Sequence, residues 1–359
     1  MSLSSAQFQK KILAWFDLHG RKHLPWQLNI SAYRVWISEI MLQQTQVSTV
    51  IPYFERFMQE LSTISQLAQA SEDTVLHLWS GLGYYSRARN LHRAAQILVE
   101  KFNAKLPDTL EELISLPGIG RSTAGAILAL GFKQPATILD GNVKRVLTRF
   151  AGIETAINLS QTEKLLWTLA EKYTPTTKVA EYTQAMMDMG ATLCTRTKPR
   201  CLECPLQSTC YAYASNKVDI IPTKIRKNKL PKRVVTFLII KQGNEILFSK
   251  RNHLGVWKGL WSFPEIPGEP LKKEIANYCH KHFCGTIKTS QTLEMFQHSF
   301  SHYHLMIHPV LLELTVKSRK LMESTTHIWY NLERPPKLGL PKPVKTILRN
   351  LNDSLCGMR

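Results

Sequence analysis

No stretch of this sequence approaches the roughly 20 consecutive apolar residues that a membrane-spanning helix needs. Met1 to Gly20 also lack the charged stretch, apolar core and small-residue cleavage site of a secretory leader. Both absences point to an intracellular, cytoplasmic protein with no membrane partner. Acidic residues are scarce: 27 Asp and Glu stand against 46 Lys and Arg in 359 residues, a net charge of +19. Such a field draws polyanions, nucleic acid first and acidic lipid surfaces second, although solubility alone is served by the same charge. Cysteines number 7, an odd count without a leader, which argues against a secreted disulfide framework. Internal repeats and low-complexity tracts are absent too.

What is present divides into three stretches. Residues 1–215 have apolar positions at helical spacing, beginning with Leu3, Phe8, Ile12, Trp15 and Phe16, broken by short turns at Leu24-Pro25-Trp26, Gly81-Leu82-Gly83 and Leu116-Pro117-Gly118-Ile119-Gly120. They predict an all-α domain. Residues 216–233 are crowded with cations, Lys217, Lys224, Arg226, Lys227, Lys229, Lys232 and Arg233, and punctuated by Pro222 and Pro231. They read as an exposed connector with little to bury. Residues 234–359 open with the β-branched run Val234–Ile240, a turn at Gly243-Asn244 and a second run Glu245–Phe248. That is a hairpin signal. A helix over Pro270–His282 and strands over His302–Leu314 and His327–Asn331 make this domain α+β.

Three groups of residues carry chemistry. Cys194, Cys201, Cys204 and Cys210 are spaced C-x6-C-x2-C-x5-C, close enough to enclose one metal centre, either zinc or iron–sulfur. The intervening loop holds Arg196, Lys198 and Arg200, suited to sequence-independent phosphate contacts or simply to solvation. Gly118 and Gly120 permit a tight turn that feeds Arg121-Ser122-Thr123, where free backbone N–H groups can face a phosphate. Asp140, in Leu139-Asp140-Gly141-Asn142, suits a helix N-cap. Glu39 shares a helix face with Gln43 and Gln46 beside Val35, Trp36, Ile40 and Leu42. A carboxyl among so many apolar neighbours can stay protonated near neutrality, and a solvent-facing Glu is the plain alternative.

The order of these motifs from Trp26 to Cys210 resembles the MutY-type adenine DNA glycosylases of the endonuclease III, helix–hairpin–helix superfamily. The resemblance rests on Leu24-Pro25-Trp26, Glu39 with Gln43-Gln44-Thr45, Gly81-Leu82-Gly83-Tyr84-Tyr85, the glycine hairpin, Asp140 and the cysteines. It implies a [4Fe–4S] cluster on the four cysteines and, as substrate, double-stranded DNA bearing adenine opposite 8-oxoguanine or G, handled by a monomer, nucleoid-associated in a bacterium. It makes Glu39 the general acid at adenine N7 and Asp140 the stabiliser of the sugar cation, supported by Asn142. Trp26 and Gln184 would line the adenine pocket. Gln44, Thr45, Leu82 and Tyr84 would fill the gap and touch the base left behind.

The bifunctional lyases of that superfamily carry a lysine nucleophile just after the hairpin. Here Ser122 stands there, and no lysine lies between Gly118 and Phe132. Serine forms no Schiff base, so base removal without strand cleavage is expected. The tail resembles a MutT/Nudix domain through Lys258–Pro264 and Phe296–His302, with Phe300-Ser301-His302 as a loop that probes 8-oxoguanine and His302 as a group able to change charge at about pH 6–7. Glu265, Glu269 and Glu274 do not form the Arg-Glu-x-x-Glu-Glu pattern that a Nudix hydrolase uses for Mg²⁺. An endonuclease III-like lyase for oxidised pyrimidines, a Nudix nucleotide hydrolase and a non-catalytic damage-binding protein are the rival readings.

Overall fold

The computed structural model describes residues 3–223, 229–251, 255–316 and 326–356, so Lys224, Arg226 and Lys227 of the connector lie outside the described residues. Contacts divide the chain into two compact units. One comprises Met1–Gln69 and Asn90–Lys227, the other Ala70–Arg89 and Asn228–Arg359. No helix among the described residues is long and apolar enough to cross a membrane.

Helices run in chain order as α1 (Ser5–His19), α2 (Ala32–Leu42), α3 (Val47–Glu60), α4 (Ile64–Gln69), α5 (Glu72–Trp79), α6 (Ser86–Lys101), α7 (Leu110–Ser115) and α8 (Arg121–Ala126). They continue as α9 (Gly141–Ala151), α10 (Ser160–Tyr173), α11 (Val179–Asp188), α12 (Tyr211–Ala214), α13 (Lys272–Phe283) and α14 (Lys342–Cys356). The strands are β1 (Lys232–Gln242), β2 (Glu245–Lys250), β3 (Trp261–Ser262), β4 (Glu265–Pro267), β5 (Gly285–Thr292), β6 (Phe296–Ser299), β7 (His304–Val316) and β8 (His327–Asn331).

The first unit is helical. α1 starts where Ser4 and Gln7 cap each other reciprocally, and its apolar stripe Phe8, Ile12, Trp15 and Phe16 is buried. Phe8 stacks on Tyr173 of α10 at 4.3 Å and meets Phe150 of α9 edge-on at 5.0 Å, tying three helices into one core. Between α7 and α8 the chain turns at Gly118, whose φ of +83° disfavours a side chain and where an added Cβ would lie 2.9 Å from Asn90 Cβ. After α8 a wider π-type turn, Ile127–Phe132, precedes the extended approach to Asp140. Gly125 lets that approach pass close, because a Cβ there would lie 2.1 Å from the Thr137 carbonyl oxygen.

The second unit holds a mixed sheet of order β3-β2-β1-β7-β5, with β4 on β1, β6 on β7 and β8 on β2. β1 and β7 run parallel from the Lys232–His304 pair to the Ile240–Leu312 pair, and the other pairings are antiparallel. Val235–Ile240 of β1 is buried without alternation, as expected for a central strand covered on both faces. α13 lays Ile275, Cys279 and Phe283 against Leu238, Ile240, Leu247 and Leu312. Gly243 supplies the positive φ, +58°, of the β1–β2 turn. The fold is therefore a helical unit and an α+β unit.

Candidate functional site

In the first unit a cavity of about 1060 Å³ is lined by Trp26, Glu39, Gln43, Gln44, Thr45, Ser122, Asp140, Asn142 and Gln184, together with Arg21, Arg145 and Arg196. Gly118 and Gly120 do not line it; they shape the turn from which α8 delivers Ser122. Glu39 projects from α2 among buried Trp36, Ile37, Ile40 and Met41. Burial, and secondarily the charge of Asp140, push its carboxyl up to about 8, so it carries a proton at neutral pH.

Asp140 is the N-cap of α9 and accepts the Val143 N–H at 2.8 Å. Burial raises its pKa, while hydrogen bonds from Val143 and Asn142 and the Arg145 guanidinium pull it down. Asn142 Nδ2 donates to Asp140 at 3.2 Å, and Arg145 donates to Asn142 Oδ1 at 2.9 Å and to the Cys194 carbonyl at 2.7 Å. Gly190 makes room for this arrangement: a Cβ there would stand 2.5 Å from Asn142 Cβ.

The remaining polar side chains are held individually. The Leu139 N–H donates to Ser122 Oγ at 3.0 Å, so the hydroxyl tethers the backbone just before Asp140. Gln184 donates to buried Asp188 at 2.9 Å, and Arg21 grips the same carboxylate through Nε at 2.9 Å and Nη2 at 2.6 Å. Trp26 packs edge-on against Phe54 at 5.5 Å. Gln44 is exposed with a φ of +57°, an arrangement that projects it from the end of α2.

The four cysteines are partly buried, and none is in a disulfide. Among the described residues no group of three or more His, Cys, Asp or Glu is placed to hold a metal ion. The thiols are nonetheless neighbours: burial and then the adjoining thiols raise the pKa of Cys201, Cys204 and Cys210. Arg149 reaches Cys194 Sγ at 3.4 Å and the Thr195 carbonyl at 2.7 Å. A donor set of thiols alone, with a buried guanidinium beside it, fits an anionic iron–sulfur cluster and also satisfies the ligand chemistry of zinc.

A separate cavity of about 390 Å³ lies within the second unit, lined by Tyr84, Tyr85, Arg89, Trp257, His298, Phe300, Ser301, His302 and Lys342. It brings the sequence-selected Tyr84 together with all three residues of the Phe300-Ser301-His302 loop. Leu82 is buried instead and does not line it. Phe300 lies 5.0 Å from the Trp257 ring and 4.7 Å from His298, giving the cavity an aromatic wall. Burial, then the charge of Lys342, lower the pKa of His298, which keeps it neutral. The carboxylates of this unit's Nudix-like segment are engaged elsewhere. Glu274 accepts the Leu271 N–H at 2.6 Å, Glu265 pairs with Arg251 at 2.9 Å, and Glu269 lies 3.2 Å from His308.

Residues 37–172 match the HhH-GPD superfamily base excision DNA repair proteins, and residues 235–350 match the NUDIX domain. The chain is 43% identical over 348 residues to the adenine DNA glycosylase of Buchnera aphidicola subsp. Acyrthosiphon pisum (strain APS), spanning 97% of this chain and 98% of that protein. The chain belongs to the adenine DNA glycosylase family. The adenine DNA glycosylase of Rattus norvegicus is 35% identical, with 83% of this chain and 69% of the relative covered. A solved thermostable thymine-DNA glycosylase is similar over 59% of this chain and 97% of its own, with 26% identity and a TM-score of 0.54.

For a member of this family, several side chains at the two cavities escape sequence reading. Arg145 carries a signal in hindsight, since it follows Asn142 by one helical turn. Arg21 and Asp188 orient Gln184 across a separation of 167 residues, which no local pattern reveals. Trp257 and His298 look like ordinary sheet-domain aromatics until the cavity is seen.

Proposed function

We propose that this adenine DNA glycosylase acts in base excision repair on adenine opposite 8-oxoguanine, or G, in double-stranded DNA. It works as a monomer and leaves an abasic site in an uncut strand; in a bacterium it acts at the cytoplasmic nucleoid. The observation that carries the reading is the pairing, in one cavity, of Glu39, protonated at neutral pH, with Asp140, where Val143, Asn142 and Arg145 oppose the upward push of burial.

Adenine is a poor anionic leaving group and must be protonated as its bond to the sugar breaks. Once the nucleotide is turned out of the helix, Glu39 gives its proton to adenine N7, and the base departs neutral. The electron-poor sugar left behind is stabilised by the Asp140 carboxylate, which Asn142 and Arg145 hold in place. Glu39, now ionised, accepts a proton from the water that adds to the sugar. This is the two-carboxylate division of labour of glycoside hydrolysis. Gln184, fixed by Asp188, and Trp26 border the base; Gln44, Thr45 and Tyr84 meet the opposite strand. The aromatic cavity of the second unit, with Phe300, Ser301 and His302, reads 8-oxoguanine.

Cys194, Cys201, Cys204 and Cys210 would hold a [4Fe–4S] cluster. When bound, such a cluster supplies a rigid anionic brace for the basic loop between Cys194 and Cys201 rather than a reacting atom. A brown protein with visible absorbance supports iron; a colourless, zinc-loaded one overturns it.

The deciding experiment compares duplexes bearing A opposite 8-oxoguanine, A opposite G, and thymine glycol opposite A. Adenine is released from the first two, with the strand intact until hot alkali is added, and Glu39→Gln abolishes release. Cleavage at thymine glycol, or undiminished release by the variant, would overturn the assignment.

A further inference from the structure

We propose that Ser80 and Tyr85 are positioning residues that lock the Tyr84 loop onto the strap Leu338–Leu340, and thereby set discrimination for the base opposite adenine. This rests on the reading of Tyr84 given above. Tyr84 has a φ of +49°, following Gly81 at +121° and Gly83 at +75°. A bulky residue holds such a backbone only where its surroundings over-determine it.

Those surroundings converge on the carbonyls of Leu340, Ser80 and Gly83. Ser80 Oγ donates to the Leu340 carbonyl at 2.6 Å and accepts the Leu340 N–H at 3.1 Å. The Tyr85 hydroxyl accepts the Gly81 N–H at 3.3 Å, closing the turn on itself, and donates to the same Leu340 carbonyl at 3.0 Å. Lys345 Nζ donates to the Ser80 carbonyl at 3.0 Å. Trp79 Nε1 and Arg87 both donate to the Gly83 carbonyl at 3.2 Å, fixing the residue before Tyr84.

Ser80, Tyr85 and Leu340 are buried, so an unmade bond there is not replaced by water. The strap cannot slide to accommodate a loose loop. A Cβ at Gly339 would come 2.5 Å from Leu76 Cβ, and the Gly339 carbonyl accepts the Trp261 N–H at 2.9 Å. Tyr84 is thus kept 48% exposed at the rim of the cavity that Phe300, Ser301 and His302 also line.

The test uses the full-length chain with Ser80→Ala, Tyr85→Phe and, as reference, Tyr84→Ala. Affinity for duplexes carrying uncleavable 2′-fluoro-adenosine opposite 8-oxoguanine or G gives a discrimination ratio. Single-turnover excision of A opposite G at saturating enzyme reports the chemical step. Each positioning variant removes two of these hydrogen bonds, and both are expected to lower the ratio by at least about twofold, the lower bound for a single lost buried hydrogen bond, with the chemical step unchanged. A ratio left intact in both while Tyr84→Ala lowers it overturns the positioning role and spares the reading of Tyr84. A ratio left intact in Tyr84→Ala overturns that reading itself. A parallel fall of ratio and chemical step in Tyr85→Phe marks a merely structural role and also overturns the proposal. Should Ser80→Ala fail to fold, Tyr85→Phe, which removes one oxygen, decides alone.

Discussion

Glu39 and Asp140 line one cavity, and burial together with the Asp140 charge lifts the Glu39 carboxyl to about 8. Hydrogen bonds from Val143 and Asn142 and the nearby Arg145 favour the anion at Asp140. Burial lifts Asp140 as well, but these partners oppose that rise, whereas the Glu39 carboxyl is raised further by the Asp140 charge itself. Environments that push two carboxyl groups apart in this way assign the acid and the anion without reference to sequence position.

Excision should consequently fall on the alkaline side. Above pH of about 8 the rate is expected to drop about tenfold per unit as Glu39 ionises, measured by single-turnover adenine release. The same shift acts on stability. Because folding raises this pKa from 4.5 to about 8, the stabilisation is full below the lower value and is lost as pH rises through the upper one. Glu39→Gln should therefore melt higher than the parent at pH 9, by about 2–6 °C, and at the same temperature at pH 4.

Asp140 caps α9, and the stabilising role proposed for it at the sugar can be separated from that cap by substitution. Asn retains an N-cap for α9, so Asp140→Asn should keep its melting temperature and lose at least about a hundredfold in excision rate. Asp140→Ala should lose the same activity and, with the Val143 N–H uncapped, about 1 kcal/mol of stability. Denaturant melts of the two variants beside their rates check both halves.

The sequence makes some of this legible and not the rest, for physical reasons. Glu39, Asp140 and the cysteines lie in dense local patterns, because a helix face, an N-cap and a ligand loop are built from neighbouring residues. The β1–β2 hairpin and α13 are legible for the same reason. The grouping of Ala70–Arg89 with the second unit is not, because it depends on contacts such as Ser80 to Leu340, 260 residues apart, between segments with ordinary amphipathic patterns. Leu82 illustrates the limit. The resemblance offers it beside Tyr84 as a residue that fills the gap, and in the folded turn Leu82 is buried while Tyr84 stays exposed.

The basic loop between Cys194 and Cys201 should divide by residue. Lys198 is exposed at a positive φ of +51°, whereas Arg200 is engaged by Glu203 at 3.0 Å and by the Thr192 carbonyl at 3.0 Å. Lys198→Ala is expected to weaken binding to all duplexes alike and to flatten the slope of log K against log salt by about 0.9, one phosphate contact. Arg200→Ala should change that slope less. Titrations at several salt concentrations distinguish them.

Gly190 offers a test of the support behind Asp140. In Gly190→Ala the new Cβ would lie 2.5 Å from Asn142 Cβ and 2.9 Å from its Cα, with backbone as the obstacle. Overpacking of this kind costs roughly 1–3 kcal/mol. The shift should also displace Asn142 from Asp140, so excision is expected to fall by about tenfold or more, read at saturating enzyme, with adenine-duplex affinity less affected.

The interleaving of Ala70–Arg89 with the last third of the chain bears on how the protein is made. A ribosome delivers Ser80 early and Leu340 near the end, so during most of synthesis the segment bearing Tyr84 has no mate for its buried hydroxyls. A message cut short beyond Lys227 would yield every residue of the Glu39–Asp140 cavity and none of the strap that fixes Tyr84. A chain ended there would carry the residues proposed to release adenine and lack the strap proposed to govern the choice of the base opposite it.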